Sequence, residues 1–421
     1  MYRLDWIEQL KLRLIATPTA RQVVLVSPVV WSLGFTSFLT DISSEIVNSA
    51  LPAYLFLHLR LSPLQYGLID GLYNGFAIAL LSVAAGFIAD RWGRHKEVAL
   101  VGYGLSALCK LLLPASGAAW GWIAAVIGLD RAGKGMRTAP RDALISWNAP
   151  AHALASAFAV HRALDAGGAL LGPLIAFVLL AQLPGAFDVL WSTSFVFAVL
   201  GVGALWLFVP SSQPAQRAPE QKLTARSTVG MLASPRFRVL AGIGTLLAAV
   251  TVSDGFVYLL LQQRGTLPAG FMPLNYVGTA CAYMIFSIPA GLFADAWGRS
   301  KVLLAGYGVL VLIYGIILAS PSIGIATHIA CILLLGLYYA GTEGVLIAMA
   351  SLVVPEKARG SGLALLGTSI GIGKVISSIV FGWLWTQYSA SVAVVVFTVT
   401  LVGALAVAAL WLRHAERESR P

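Results

Sequence analysis

Residues 86–96 read "GFIADRWGRHK" and residues 291–301 read "GLFADAWGRSK". Gly, Ala-Asp, Trp-Gly-Arg and Lys coincide at an offset of 205 residues (86 to 291). A "GYG" follows each copy, at 102–104 and 306–308, and Pro150 and Pro355 repeat at the same offset of 205. Each copy is a short basic stretch between two apolar runs. The chain therefore reads as two related halves, and the flanking runs decide what kind.

Those runs are made for lipid. The 421 residues are 58% hydrophobic and only 11% charged, with a mean hydropathy of +0.83. Soluble domains carry about 25% charged residues, so a large soluble enzyme is excluded. Apolar stretches of roughly 20 residues cross a ~30 Å hydrocarbon core. Twelve occur, near 28–58, 64–90, 96–114, 119–146, 153–182, 188–209, 237–263, 271–295, 301–320, 324–353, 360–387 and 390–412. The expected fold is an all-α polytopic membrane protein of twelve transmembrane helices in two pseudo-symmetric six-helix bundles. The N-terminal bundle covers 1–209 and the C-terminal bundle 237–421. Between them, 210–236 contains "PSSQPAQRAPEQKLTARSTVG", a polar, Pro/Ser/Gln-rich linker. Repeated bundles that rock around a midplane site are characteristic of secondary transporters.

The net charge of +10 raises the possibility of nucleic acid, but the positions of the positives argue otherwise. If the N-terminus is cytoplasmic, nearly all loop lysines and arginines fall on the cytoplasmic side, and only Arg60 and Arg264 fall outside. That bias places both termini in the cytoplasm and the protein in the cytoplasmic (inner) membrane. No nucleic-acid partner is expected, and a monomer is. The N-terminal "MYRLDWIEQLKLRL" has no apolar core of a cleavable signal; Leu4, Ile7, Leu10 and Leu14 suit one face of a short interfacial helix. Cys109, Cys281 and Cys331 are scattered within spans, so neither disulfides nor a metal pair is indicated. No cofactor is expected. An enzyme is not either: no nucleophile–base set, phosphate-binding loop or metal spacing occurs.

The polar residues inside the spans are the functional candidates. Each charge facing lipid would cost roughly 2.5–3.5 kcal/mol, so such groups must pair or line a watery cavity. In "LDRAGKGMRTAPRDALI" (129–145), Arg131, Lys134, Arg137 and Arg141 fall on one helical stripe, with Asp130 and Asp142 nearby. In the first span Asp41, Ser44, Glu45 and Asn48 share a face, and repulsion between the two carboxylates makes them candidate proton carriers. Glu45, with its longer reach, is slightly favoured. His161, Arg162 and Asp165 lie within helical reach in the fifth span, with Arg162–Asp165 expected as a pair and His161 and Asp165 as proton partners. Asp254, Glu343 and Lys374 are isolated charges in the second half. The stripe thus reads as a cavity wall held by acids on spans one and five, with spans one, four, seven and ten lining the cavity. Asn48, Arg131, Lys134, Arg162, Asp254, Glu343 and Lys374 are the expected substrate contacts, and Arg131 is expected opposite Asp41 and Glu45.

The loop pattern G-x-x-x-D-x-x-G-R-x-K, here Gly86, Asp90, Gly93, Arg94 and Lys96, resembles the best-known motif of the major facilitator superfamily. Its second copy is Gly291, Asp295, Gly298, Arg299 and Lys301. "RAGKG" resembles that superfamily's fourth-helix R-x-x-Q-G, with Lys134 replacing glutamine. "GALLGP" (168–173) partly resembles its antiporter pattern G-x-x-x-G-P, which close packing of small residues explains equally well. "DISSE" (41–45) together with "DRAGKGMRTAPRDALI" (130–145) resembles a largely uncharacterised prokaryotic branch. The resemblance implies alternating access with the motif loops as an inner gate, involving Gly86, Asp90, Arg91, Gly93, Arg94, Arg137, Arg141, Asp142, Asp295 and Arg299. Asp90 is expected near the start of the eleventh span, around Gly360, or near Arg137 or Arg141. The expected activity is secondary, proton-coupled transport of a small organic solute by symport or antiport, with an anionic or metal-chelate solute favoured by the basic residues. The alternatives are a multidrug/proton efflux antiporter, using a more aromatic and less basic cavity, and a divalent metal cation transporter with Asp41 and Glu45 as ligands.

Overall fold

In the computed structural model the described residues are 26–74, 77–150, 153–211, 234–354 and 359–417. The N-terminal amphipathic stretch, most of the linker and Pro355 lie outside them, as does the side chain of Asp90. Among the described residues the elements are helices joined by turns and short irregular segments, with one isolated bridge between Gly265 and Ile323. Span one is Pro28–Pro52, extended by a wider π turn at Ala53–His58; Ser27 caps its start, its Oγ accepting from Val29 N–H at 3.2 Å. Span two consists of Pro63–Asn74 and Ala77–Trp92, span three of His95–Leu112, span four of Trp120–Trp147, span five of Leu154–Gln182 and span six of Phe187–Phe208. The second half repeats the pattern with span seven (Pro235–Ala249 and Asp254–Arg264), eight (Met272–Trp297), nine (Arg299–Ala319), ten (Ile325–Val353), eleven (Arg359–Gln387) and twelve (Ala390–Arg417).

Among the described residues, spans five to twelve are long and apolar enough to cross a membrane by length and composition. The first four, where ionisable side chains concentrate, fall short of that measure. The outward faces are apolar: Ile285, Ile288 and Leu292 on span eight are 66%, 73% and 68% exposed, a helical stripe suited to lipid.

The repeat seen in the sequence has a packing counterpart. Gly93 and Gly298 both adopt positive φ, 63° and 103°, which lets the chain turn between spans two and three and between eight and nine. The first glycine of each "GYG" copy, Gly102 and Gly306, allows a close helix crossing. A Cβ on Gly102 would meet Gly133 O of span four at 2.8 Å, and one on Gly306 would meet Thr342 Cγ2 of span ten at 2.8 Å. Likewise Gly168 on span five packs on Phe38 and Asp41 of span one, while Gly373 on span eleven packs on Thr245 and Ala248 of span seven. Small residues allow the backbones to approach, which is how helices associate where the hydrophobic effect is absent. For "GALLGP" the structure assigns Gly168 and Gly172 to this close packing.

The halves meet through spans two and eleven and through spans five and eight. At one end the contact is tight: Leu64 N–H donates to Thr386 Oγ1 at 2.9 Å, and a Cβ on Gly71 would lie 3.5 Å from Val375 Cα. Gly270, before span eight, approaches the Leu180 backbone of span five at the same end.

Candidate functional site

Two features gather the intramembrane polar residues: a charge network within the first half and a cavity between the halves. Asp130 is the hub of the network's first cluster. Lys110 Nζ donates to its Oδ1 at 2.6 Å, Arg131 Nε donates to its Oδ2 at 3.1 Å, and Arg131 Nη2 adds a second bond. The Arg131 guanidinium lies 3.9 Å from the Tyr73 ring centroid, and Lys110, Asp130 and Arg131 are all buried. Pairing and a cation–π contact make burial of three charges tolerable.

The second cluster ties span four to spans one and five. Arg137 Nη2 lies 3.7 Å from Asp41 Oδ1, and its guanidinium lies over Tyr103 at 4.5 Å. Arg141 Nη1 lies 4.0 Å from Asp165 Oδ1, while Nε and Nη2 each donate to Asp142 Oδ1 at 3.0 Å. Arg141 also donates to Ser37 Oγ at 3.2 Å, and His161 Nε2 is 3.3 Å from that same hydroxyl. Lys134 acts electrostatically on Asp41. Asn48 Nδ2 donates to Glu45 Oε2 at 2.8 Å. The basic stripe is therefore held by acids on spans one and five, but its pairing differs from expectation. Arg131 bonds its own neighbour Asp130, which also pairs with Lys110 on span three; of the two carboxylates expected opposite it, Glu45 acts on it electrostatically. Asp165 pairs with Arg141, not with Arg162.

The cavity, of about 530 Å³, lies between the halves. Spans seven, ten and eleven form most of its wall; from the first half come Asn48, Asp70 and Arg162. Span four contributes none of the lining residues, so Arg131 and Lys134 sit away from this cavity. Asn48, Arg162, Asp254, Glu343 and Lys374 do line it. Tyr339 Oη donates to Asp254 Oδ1 at 2.6 Å, and Ser378 Oγ donates to Asp70 Oδ2 at 2.6 Å, the latter joining spans eleven and two. The sequence counts Asp70 among the intramembrane acids without a substrate role, and the reading missed the aromatic wall of Tyr276, Tyr307, Tyr338 and Tyr339. The adjacent tyrosines of "LYYAG" in a lipid-like helix were the available signal.

Span seven was expected to be continuous over 237–263. It is interrupted at Val250–Ser253, and Thr251 to Gly255 line the cavity there. The backbone groups freed by the break have partners: Val252 N–H donates to Tyr314 Oη at 2.8 Å, and Ser377 Oγ bonds Thr251 O. Irregular backbone at membrane depth is tolerated where protein or a watery cavity satisfies it. "TVSDG" (251–255) carried the signal, since Ser-Asp before an apolar run is a helix start.

Of the expected gate residues, Arg91, Gly93 and Arg94 are exposed at the turn, and Gly86 faces span four, where a Cβ would come 3.2 Å from Ala139. Asp295 pairs with Arg299 at 3.0 Å across the matching turn. Arg137, Arg141 and Asp142 belong to the network above. The side chain of Asp90 and the surroundings of its expected neighbour Gly360 are not described.

The model of the Major Facilitator Superfamily matches residues 33–274 and 266–421. An uncharacterized MFS-type transporter of Methanocaldococcus jannaschii is 33% identical over 373 residues, covering 85% of this chain and 88% of its own. Among solved structures, the nucleoside transporter NupG superposes with a TM-score of 0.74 at 14% identity, covering 91% of this chain and 98% of its own. A POT family transporter in complex with 5-aminolevulinic acid superposes with a TM-score of 0.76 at 13% identity, covering 93% and 96%.

Proposed function

The chain belongs to the Major Facilitator Superfamily, and from that premise we propose that it is a proton-coupled secondary transporter moving a small organic solute by alternating access. The observation that carries the reading is the cavity itself, walled by both halves and capped at one end by the contact of spans two and eleven. The positive-inside bias assigns the capped end to the outside, which makes this the state open to the cytoplasm. In this proposal 1–209 and 237–421 are the moving halves, 210–236 joins them, and both termini are cytoplasmic in a monomer of the inner membrane. Asp90, at the first-half turn, is its inner latch.

The proton carriers of this reading belong to the first-half network. Asp41 and Asp165 face the arginines Arg137 and Arg141, His161 shares the Ser37 hydroxyl with Arg141, and Glu45 acts electrostatically on Arg131, so protonation of a carboxylate loosens its hold on span four. That links proton occupancy to the packing of spans one, four and five. A multidrug/proton antiporter is the second reading, favoured by the four tyrosines of the cavity.

The test is transport in proteoliposomes with and without an imposed pH difference. A pH difference should drive accumulation of a solute selected by binding. Glu45→Gln should abolish that accumulation and flatten the pH dependence of binding, while binding and counterflow exchange persist. If Glu45→Gln and Asp41→Asn both still concentrate solute, the carboxylates of span one do not carry the coupling.

A further inference from the structure

We propose that the transported solute is zwitterionic, its anionic end held between Arg162 and Lys374 and its ammonium end at Glu343 among the tyrosines. This rests on the transporter reading above and narrows it to a substrate class.

The charges of the cavity fall into two kinds. Asp70 and Asp254 are already engaged, by the hydroxyls of Ser378 and Tyr339. Arg162, Glu343 and Lys374 line the same cavity, are exposed within it, and make no hydrogen bond or ion pair with another described residue. A charge at membrane depth without a protein partner requires water or a ligand. Here the charges without a hydrogen-bonded or ion-paired partner have both signs; Lys374 acts electrostatically on Asp70 and Asp254, and Glu343 on Asp254. A solute with a single anionic group leaves Glu343 unanswered, and a simple cation leaves Arg162 and Lys374 unanswered. A solute with both groups satisfies all three.

Position adds a second argument. Lys374 and Glu343 belong to spans eleven and ten of the second half, whereas Arg162 belongs to span five of the first. An anionic group bonded by Arg162 and Lys374 therefore bridges the halves. Its binding energy favours their approach, which is what a transported substrate has to supply. The tyrosines offer ring faces to an ammonium and flat apolar surface to the body of the solute. A cavity of about 530 Å³ suits a small molecule rather than a long chain.

The probes are phenylalanine and tryptophan, each beside its carboxamide, which keeps only the positive charge, and its N-acetyl form, which keeps only the negative. Purified full-length protein in detergent is heated with each at millimolar concentration, since binding raises apparent stability by mass action. The expected result is stabilisation by the free amino acids and little by either blocked form. Glu343→Gln should weaken amino-acid binding at least about tenfold, as loss of a charged partner does, without changing the response to the N-acetyl form. Glu343→Asp should keep the discrimination, which separates lost charge from lost folding. Arg162→Gln and Lys374→Gln should each weaken amino-acid binding similarly.

A carboxamide that binds as well as its parent means that Lys374 is spent on Asp70 and Asp254 and the cavity holds a cation; this overturns the proposal. Equal binding of the N-acetyl form, no response to any probe, or wild-type amino-acid binding by Glu343→Gln overturns it as well. Failure of proton coupling is read separately. Amino-acid selectivity without pH-driven accumulation removes the coupling and keeps the substrate class, whereas pH-driven accumulation of N-acetyl forms alone does the reverse.

Discussion

Gly172 shows how tightly single residues are constrained where span five crosses span one. A Cβ there would lie 2.8 Å from Glu45 Cβ, 2.8 Å from Ile42 O and 3.0 Å from Ile46 N. Two of these are backbone atoms and cannot swing aside. Gly172→Ala should therefore cost roughly 1–3 kcal/mol as overpacking and displace the helix bearing Glu45. Gly203→Ala on span six, where a Cβ meets nothing within 4 Å, is the matched control and should leave the apparent Tm unchanged. Equal Tm values for the two variants would refute the crossing. Asp130 is constrained by charge instead. With Lys110 and Arg131 both buried against it, Asp130→Asn leaves two unanswered cations and should cost about 3–5 kcal/mol. Adding Lys110→Met restores the original net charge of the cluster, so the double variant should recover part of the lost folded yield. A double variant no more stable than Asp130→Asn would mean that the loss is not electrostatic.

At the scale of elements, span seven has the most informative departure from a plain helix. Its break at Val250–Ser253 exposes backbone groups to the cavity, and Tyr314 on span nine holds one of them. Tyr314→Phe keeps the ring but leaves Val252 N–H without its acceptor, at a cost of about 1–3 kcal/mol for a buried donor. Amide exchange should accelerate at Val252 while the interiors of spans nine and ten keep their protection. Unchanged exchange at Val252 would show that the hydroxyl does not secure the break. The interruption also decides what the cavity can present. Asp254 opens the second helix of the span, so its carboxylate sits at a helix start, where the helix dipole favours negative charge.

For the whole molecule, the contact between Leu64 and Thr386 joins spans two and eleven, and so the two halves, at one end. In the proposed alternating access this contact has to break in every cycle. A Leu64→Cys/Thr386→Cys pair, in a chain whose Cys109, Cys281 and Cys331 have been replaced, should stop transport when oxidised and recover it on reduction. Solute binding from the other side should persist in the cross-linked protein. Full transport by the oxidised pair would mean that this end does not open.

The sequence by itself determined the class of the fold, because hydropathy and loop charge answer to the bilayer rather than to other residues. The duplication at 86–96 and 291–301 likewise announced two halves, and two of the glycine pairs it repeats proved to be turn positions (Gly93 and Gly298) and crossing positions (Gly102 and Gly306). Asn48, Arg162, Asp254, Glu343 and Lys374 were legible as candidates because an intramembrane polar residue stands out in any apolar run. Which of them meet was decided only by tertiary structure. Arg131 looked as available as Lys374 by sequence, yet a carboxylate one residue away and a lysine on span three bury it, while Lys374 lines the cavity between the halves. Partner choice among buried charges depends on distances between helices, and a helical period fixes only the face within each one.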